Sequence, residues 1–159
     1  MSAKLERACR KELHNALEKC QFIEETLRMC ICSAVEIARL GLSPHFPVKY
    51  KTEDIAKLPL GALVTVFTKI NNDAALHEAL RKITKERNDV AHRSLLFTLG
   101  ELSDKQHMTE ATDKMKCITA RATEVHNRLL DVRDALLRSL NKVKRTRSTV
   151  KTGAKASTE

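Results

Sequence analysis

The residues of this chain that can do chemistry gather in one stretch, Glu86-Arg87-Asn88-Asp89-Val90-Ala91-His92-Arg93. Arginine is a permanent cation whose planar fork of donors matches phosphate oxygens. Histidine titrates near neutrality, which suits it to give and take protons. Cleaving a phosphodiester without a metal needs a base that takes the proton of a neighbouring hydroxyl as that oxygen attacks phosphorus. It also needs an acid for the leaving oxygen and positive charge on the phosphate in between. His92 suits the acid–base part and Arg87 the charge. Asn88 can orient His92 or donate to the phosphate, and Arg93 adds to the anion field. With one such histidine, a single copy lacks the second proton-transfer group. A twofold dimer would bring two copies of Arg87 and His92 to one cleft.

A helix must position these groups. Leu76, Leu80, Ile83, Arg87, Val90 and Ser94 recur at three and four, which predicts a helix from Ala74 to about Leu99 closed by Gly100. Arg87 then stands on the apolar stripe, where leucine would be ordinary. Asn88 and His92 are four apart and share a face. Arg87 and His92 are five apart, roughly 140° around the helix and about 7.5 Å along it, so they border a groove and do not touch. Glu86 and Asp89 read as a solvated acidic pair balanced by Lys82, Lys85 and Arg93. In the non-catalytic alternative, Arg87 pairs with a glutamate of the first helix, and Asn88 and His92 form a packed polar pair.

Arg87-Asn88-x-x-x-His92, late in a long helix, resembles the signature of the HEPN superfamily. These are all-helical proteins, many of them metal-independent ribonucleases. Leu58-Pro59-Leu60-Gly61-Ala62-Leu63 and the helix it opens also look like the segment before the motif in some members. The resemblance spans about residues 10–140. It implies that Arg87, Asn88 and His92 face an active cleft, built by two copies of the chain. It also implies a toxin or phage-defence role, with a neutralising protein partner.

The rest of the chain fits such a scaffold. Its 159 residues suggest one domain with a real core. Aromatics make up only 3%, with four Gly and three Pro, which favours long helices packed through Leu, Ile, Val and Ala over a β-sandwich. The expected fold is all-α, a HEPN-like bundle of about four main helices over residues 1–143, followed by a basic, disordered tail over 144–159. The first helix runs from about Ala3 to Leu40, and Gly41 stops it. A loop follows, holding Tyr50 between Lys49 and Lys51 and also His45; Tyr50 can stack a base, and His45 is a second acid–base candidate. A short helix runs from Pro59 to about Ile70, with a strand over 64–68 as the alternative reading. Asn71-Asn72-Asp73 caps the motif helix. Residues 101–108 read as a polar connection. The last helix runs from Thr109 to Val143, and its stripe from Met115 to Val143 suits a bundle seam or a coiled-coil-like dimer contact.

Charge and cysteine narrow the function. Net charge is +9, and +6 of it lies from Arg138 to Glu159, where seven Lys or Arg face one acid. Lys144, Arg145, Arg147 and Lys151 make that segment a phosphate-binding arm or, more plainly, a solvated terminus. The five cysteines are odd in number and lack zinc-ribbon spacing, so buried reduced thiols and a cytoplasmic setting are expected. No leader pattern or membrane span is evident. There is no phosphate loop, His-Glu-x-x-His or calcium loop, and no metal or cofactor is expected. The expected activity is endonucleolytic cleavage of RNA, such as tRNA or a messenger. The alternative is a non-catalytic helical RNA-binding or protein-interaction (adaptor) domain.

Overall fold

From Ala3 to Leu40 the chain carries no Gly or Pro, and helix α1 occupies Ala3–Gly41. Arg10–Glu6, Arg28–Glu24 and Arg39–Glu36 pair across single turns on its surface. The computed structural model of the chain describes residues 3–42, 51–98 and 105–155. Four further helices follow: α2 at Thr52–Ala56, α3 at Leu60–Phe67, α4 at Ala74–Thr98 and α5 at Lys105–Lys155. The described residues contain no strand.

The course of the chain can be read from its contacts. Thr26 meets His126, and Cys30 meets the Leu129 carbonyl. Partners therefore advance together, and α1 and α5 lie parallel along most of their length. Asp73 pairs with Arg128, Glu86 with Arg121 and Asp89 with Lys114. These partners run in opposite directions, so α4 descends between two ascending helices. Two parallel helices cannot be joined by a tight turn. Here α2, α3 and α4 together return the chain to the start of α5.

The main core joins all five helices through Ile23, Leu27, Ile55, Phe67, Leu80 and Val125, among others. Arg28 donates to the Leu58 carbonyl at 3.0 Å and ties the α2–α3 link to α1. Pro59 is the N-cap of α3, one residue outside the position expected for it. The 64–68 segment is helix to Phe67 and then a turn, which sets aside the strand reading. Asp73 caps α4 as foreseen, accepting from the Leu76 amide at 2.9 Å. A second, smaller core gathers Leu13, Ala16, Val90, Met115 and Ile118 at the far end.

The four main helices are α1, α3, α4 and α5, as expected, and a short fifth, α2, plugs Ile55 into the core. Two expectations need correction. Residues 105–108 belong to α5, not to a connection, because Met108 is buried at its first turn. And α5 continues past Val143, where the apolar stripe ends, to Lys155. Lys144, Arg145 and Arg147 are exposed on this extension. His45, Lys49 and Tyr50 lie outside the described residues, as does Gly100.

Candidate functional site

The motif sits where the two cores separate. Counting along α4, Leu76, Leu80 and Ile83 are buried in the main core and Val90 in the small one. The turn between them is polar: Glu86 is half-buried and Arg87 exposed. Arg87 does hold a stripe position by spacing, but no apolar layer closes over it. Its guanidinium lies near enough to Cys20 of α1 to oppose the rise in that thiol's pKa.

Glu86 accepts from Arg121 of α5 at 2.6 Å, with only 16% of the glutamate side chain exposed. Asp89 accepts from Lys114 of α5 at 3.2 Å. The acidic pair is thus neutralised by α5, not by Lys82, Lys85 and Arg93 as expected. Those three cations make no ion pair with the described residues. Sequence reading missed Lys114 and Arg121 because they lie 25 and 35 residues from their partners. The available signal was weak: both flank the apolar stripe of α5.

The motif side chains do not converge within one chain. Arg87 donates to Asn88 at 3.5 Å, a long contact. Asn88 and His92 are exposed on the outer face of α4 and do not bond each other. The packed polar pair of the non-catalytic alternative is therefore not what is seen, nor is an ion pair from Arg87 to α1. His92 is bare to solvent, and Arg93 is half-buried beside it.

The basic extension is remote from this site. Asp89 is tied to Lys114, and 31 residues of helix separate Lys114 from Arg145, about 46 Å. Within one chain, Lys144, Arg145 and Arg147 therefore lie far from His92. Arg138, Asn141, Lys142 and Arg145 line a shallow depression of about 350 Å³ on α5. The side chain of Lys151 lies outside the described residues.

The thiols offer no nucleophile at the motif. Burial raises Cys20 to about 11, and Cys30 likewise to about 11. A thiol held so high stays protonated and unreactive at neutral pH. Cys117 alone among the five is exposed. Among the described residues, no cluster of His, Cys, Asp and Glu could hold a metal ion. Nor is any described helix long and apolar enough to cross a membrane.

The fold so described is an all-α, five-helix bundle with a polar layer at the motif. Compared with known proteins, the chain matches no family model, no curated protein and no solved structure.

Proposed function

We propose that this chain is a metal-independent endoribonuclease of HEPN type, acting on structured RNA as a homodimer. One observation carries the reading. The acids of the motif, Glu86 and Asp89, are taken up by Arg121 and Lys114, which leaves Arg93 beside the exposed His92, and Lys82 and Lys85 two to three turns before it on α4, without an ion pair among the described residues. A net positive field beside a free imidazole is what phosphodiester cleavage needs. His92 transfers the proton, Arg87 stabilises the phosphate, and Asn88 holds one or the other. A second copy supplies the other acid–base group across a twofold axis near α4. The axis is set near α4 because Arg87 and His92 lie on that helix, while the apolar stripe of α5 is covered by α1 from Met115 to Leu129. A toxin or phage-defence role with a neutralising partner extends the same proposal.

The test is single-turnover cleavage of a total tRNA pool in EDTA by wild type, His92→Ala and Arg87→Ala. Loss of a positioned acid–base group costs about 10²–10⁴ in rate. Products should end in a 2′,3′-cyclic phosphate. Equal cleavage by wild type and His92→Ala would show that His92 is not catalytic. The second reading is a non-catalytic RNA-binding or adaptor domain. It is favoured by the long Arg87–Asn88 contact, since one copy does not preorganise the site. RNA binding without cleavage at any protein concentration would select it.

A further inference from the structure

The outer face of α4 does not end at the motif. Arg81, Lys85, Asn88 and His92 follow one another at intervals of four, three and four, so they share one line along the helix. Toward the start of α4 this line enters a groove of about 560 Å³ between α3 and α4. The two helices run antiparallel there. Phe67 meets His77 edge to face, and a Cβ on Gly61 would lie 3.6 Å from Thr84. The α3 wall is Gly61, Val64, Thr65 and Thr68, and the α4 wall includes Arg81, Lys82 and Lys85. Arg81 is partly occupied by Glu78 at 3.6 Å, but Lys82 and Lys85 are paired with nothing among the described residues.

We infer that the α3–α4 groove is a phosphate-backbone subsite for single-stranded RNA, in which Lys82 and Lys85 hold phosphates next to the one presented to His92. The inference deepens the proposed function and rests on its RNA substrate, though not on cleavage. Lys85 and His92 are seven residues apart, about 10.5 Å along the helix. One or two nucleotides of an extended strand can bridge that distance. The apolar floor at Gly61 and Val64 leaves room for a base or ribose beside the cations. Glu78 of α4 is the one acid in this lining, against Arg81, Lys82 and Lys85, so the groove is net positive. The charge is of the right sign because α5 has drawn off the neighbouring acids Glu86 and Asp89.

The probe is a fluorescent 2′-O-methyl hexanucleotide. It has no free 2′-hydroxyl to attack phosphorus, and it is too short to reach both this groove and the α5 extension. Binding to the full chain is followed by anisotropy across a salt series. The variants are Lys82→Gln/Lys85→Gln and, as a charge-matched control, Lys4→Gln/Lys11→Gln on exposed α1. The groove variant should bind about tenfold more weakly at low salt. Its slope of log affinity against log salt should be shallower by about 1.4, for two single-strand phosphates lost. The control should keep wild-type affinity and slope. Equal weakening by both pairs, or wild-type binding by the groove variant, would overturn the subsite. Circular dichroism checks that both variants fold. Cleavage is read separately on tRNA. If His92→Ala abolishes cleavage while the groove variant binds normally, only the subsite fails. If the groove variant alone loses the hexamer and no RNA is ever cleaved, the subsite stands and the nuclease reading falls.

Discussion

At the residue scale, the ion pair Arg121–Glu86 decides the electrostatics of the motif. One Glu86 oxygen takes the Arg121 donor, and the other is buried without a partner. Removing Arg121 would leave a largely desolvated carboxylate beside Arg87. Arg121→Ala should therefore cost about 2 kcal/mol of stability, read by urea unfolding. It should also weaken RNA binding, because Glu86 would then face the motif cations uncompensated. Glu86→Gln/Arg121→Ala together should restore part of both losses. A separate residue reports the α1–α5 seam. His126 bonds Thr26 at 3.1 Å and stacks on Phe22. Burial, then Lys19 and Arg133, hold its pKa below the ordinary 6.5. The unfolded chain thus binds this proton more readily than the folded one. The stability His126 contributes is complete above the unfolded value and is lost as pH falls below about 6.5 toward the folded one. Thermal melts between about pH 7.5 and 5 should show a fall in Tm that His126→Gln flattens. Asp73 is also lowered, by the Leu76 amide first and Arg128 second. Its contribution disappears only in stronger acid, as pH drops below the ordinary 3.8.

At the scale of elements, α3 and the turn after it set the position of α4. The run Val64-Thr65-Val66-Phe67-Thr68 is β-branched enough to pass for a strand. It is helical because Leu60, Leu63, Val64 and Phe67 bury one face against α1 and α4, and tertiary packing outweighs propensity here. Phe67 is fully buried and meets the His77 ring edge-on. Phe67→Ala should cost about 3–5 kcal/mol, measured by chemical unfolding. That loss would also free α3 from α4 and abolish the groove between them. Asp73→Ala removes both the α4 cap and the tie to Arg128. A Tm drop of a few degrees is expected, without loss of the helical circular dichroism signal.

At the scale of the whole molecule, the motif and the basic extension of one chain lie too far apart to serve one phosphate. A large folded RNA can touch both, whereas a hexanucleotide cannot. Replacing Lys144, Arg145 and Arg147 with Gln should therefore weaken tRNA binding and its salt dependence. The same change should leave hexanucleotide binding as it is in wild type. Sedimentation at micromolar concentration should give the mass of a dimer. A monomer throughout would remove the proposed composite cleft, and with it the second proton-transfer group proposed for it. Thiol labelling of the native protein should mark Cys117 and spare Cys20 and Cys30 until denaturant is added.

Most of the helical architecture was legible in the sequence, because it depends on local rules. The three-and-four spacing from Leu76 to Val90 and from Met115 to Leu129, and the cap at Asp73, each need only neighbouring residues to be recognised. The motif is a local pattern too, and it lies on the helix where the spacing put it. What only the tertiary structure decided are relations across many residues. That α1 and α5 run parallel follows from how three intervening helices return the chain. That Leu17 is only partly buried while Ala16 is buried follows from the close approach of α5 at that layer. And whether Lys82, Lys85 and Arg93 are free depends on Lys114 and Arg121, which reach α4 from another helix. Local spacing could place those charges on a face, but only the packing of α5 against α4 could pair off the acids.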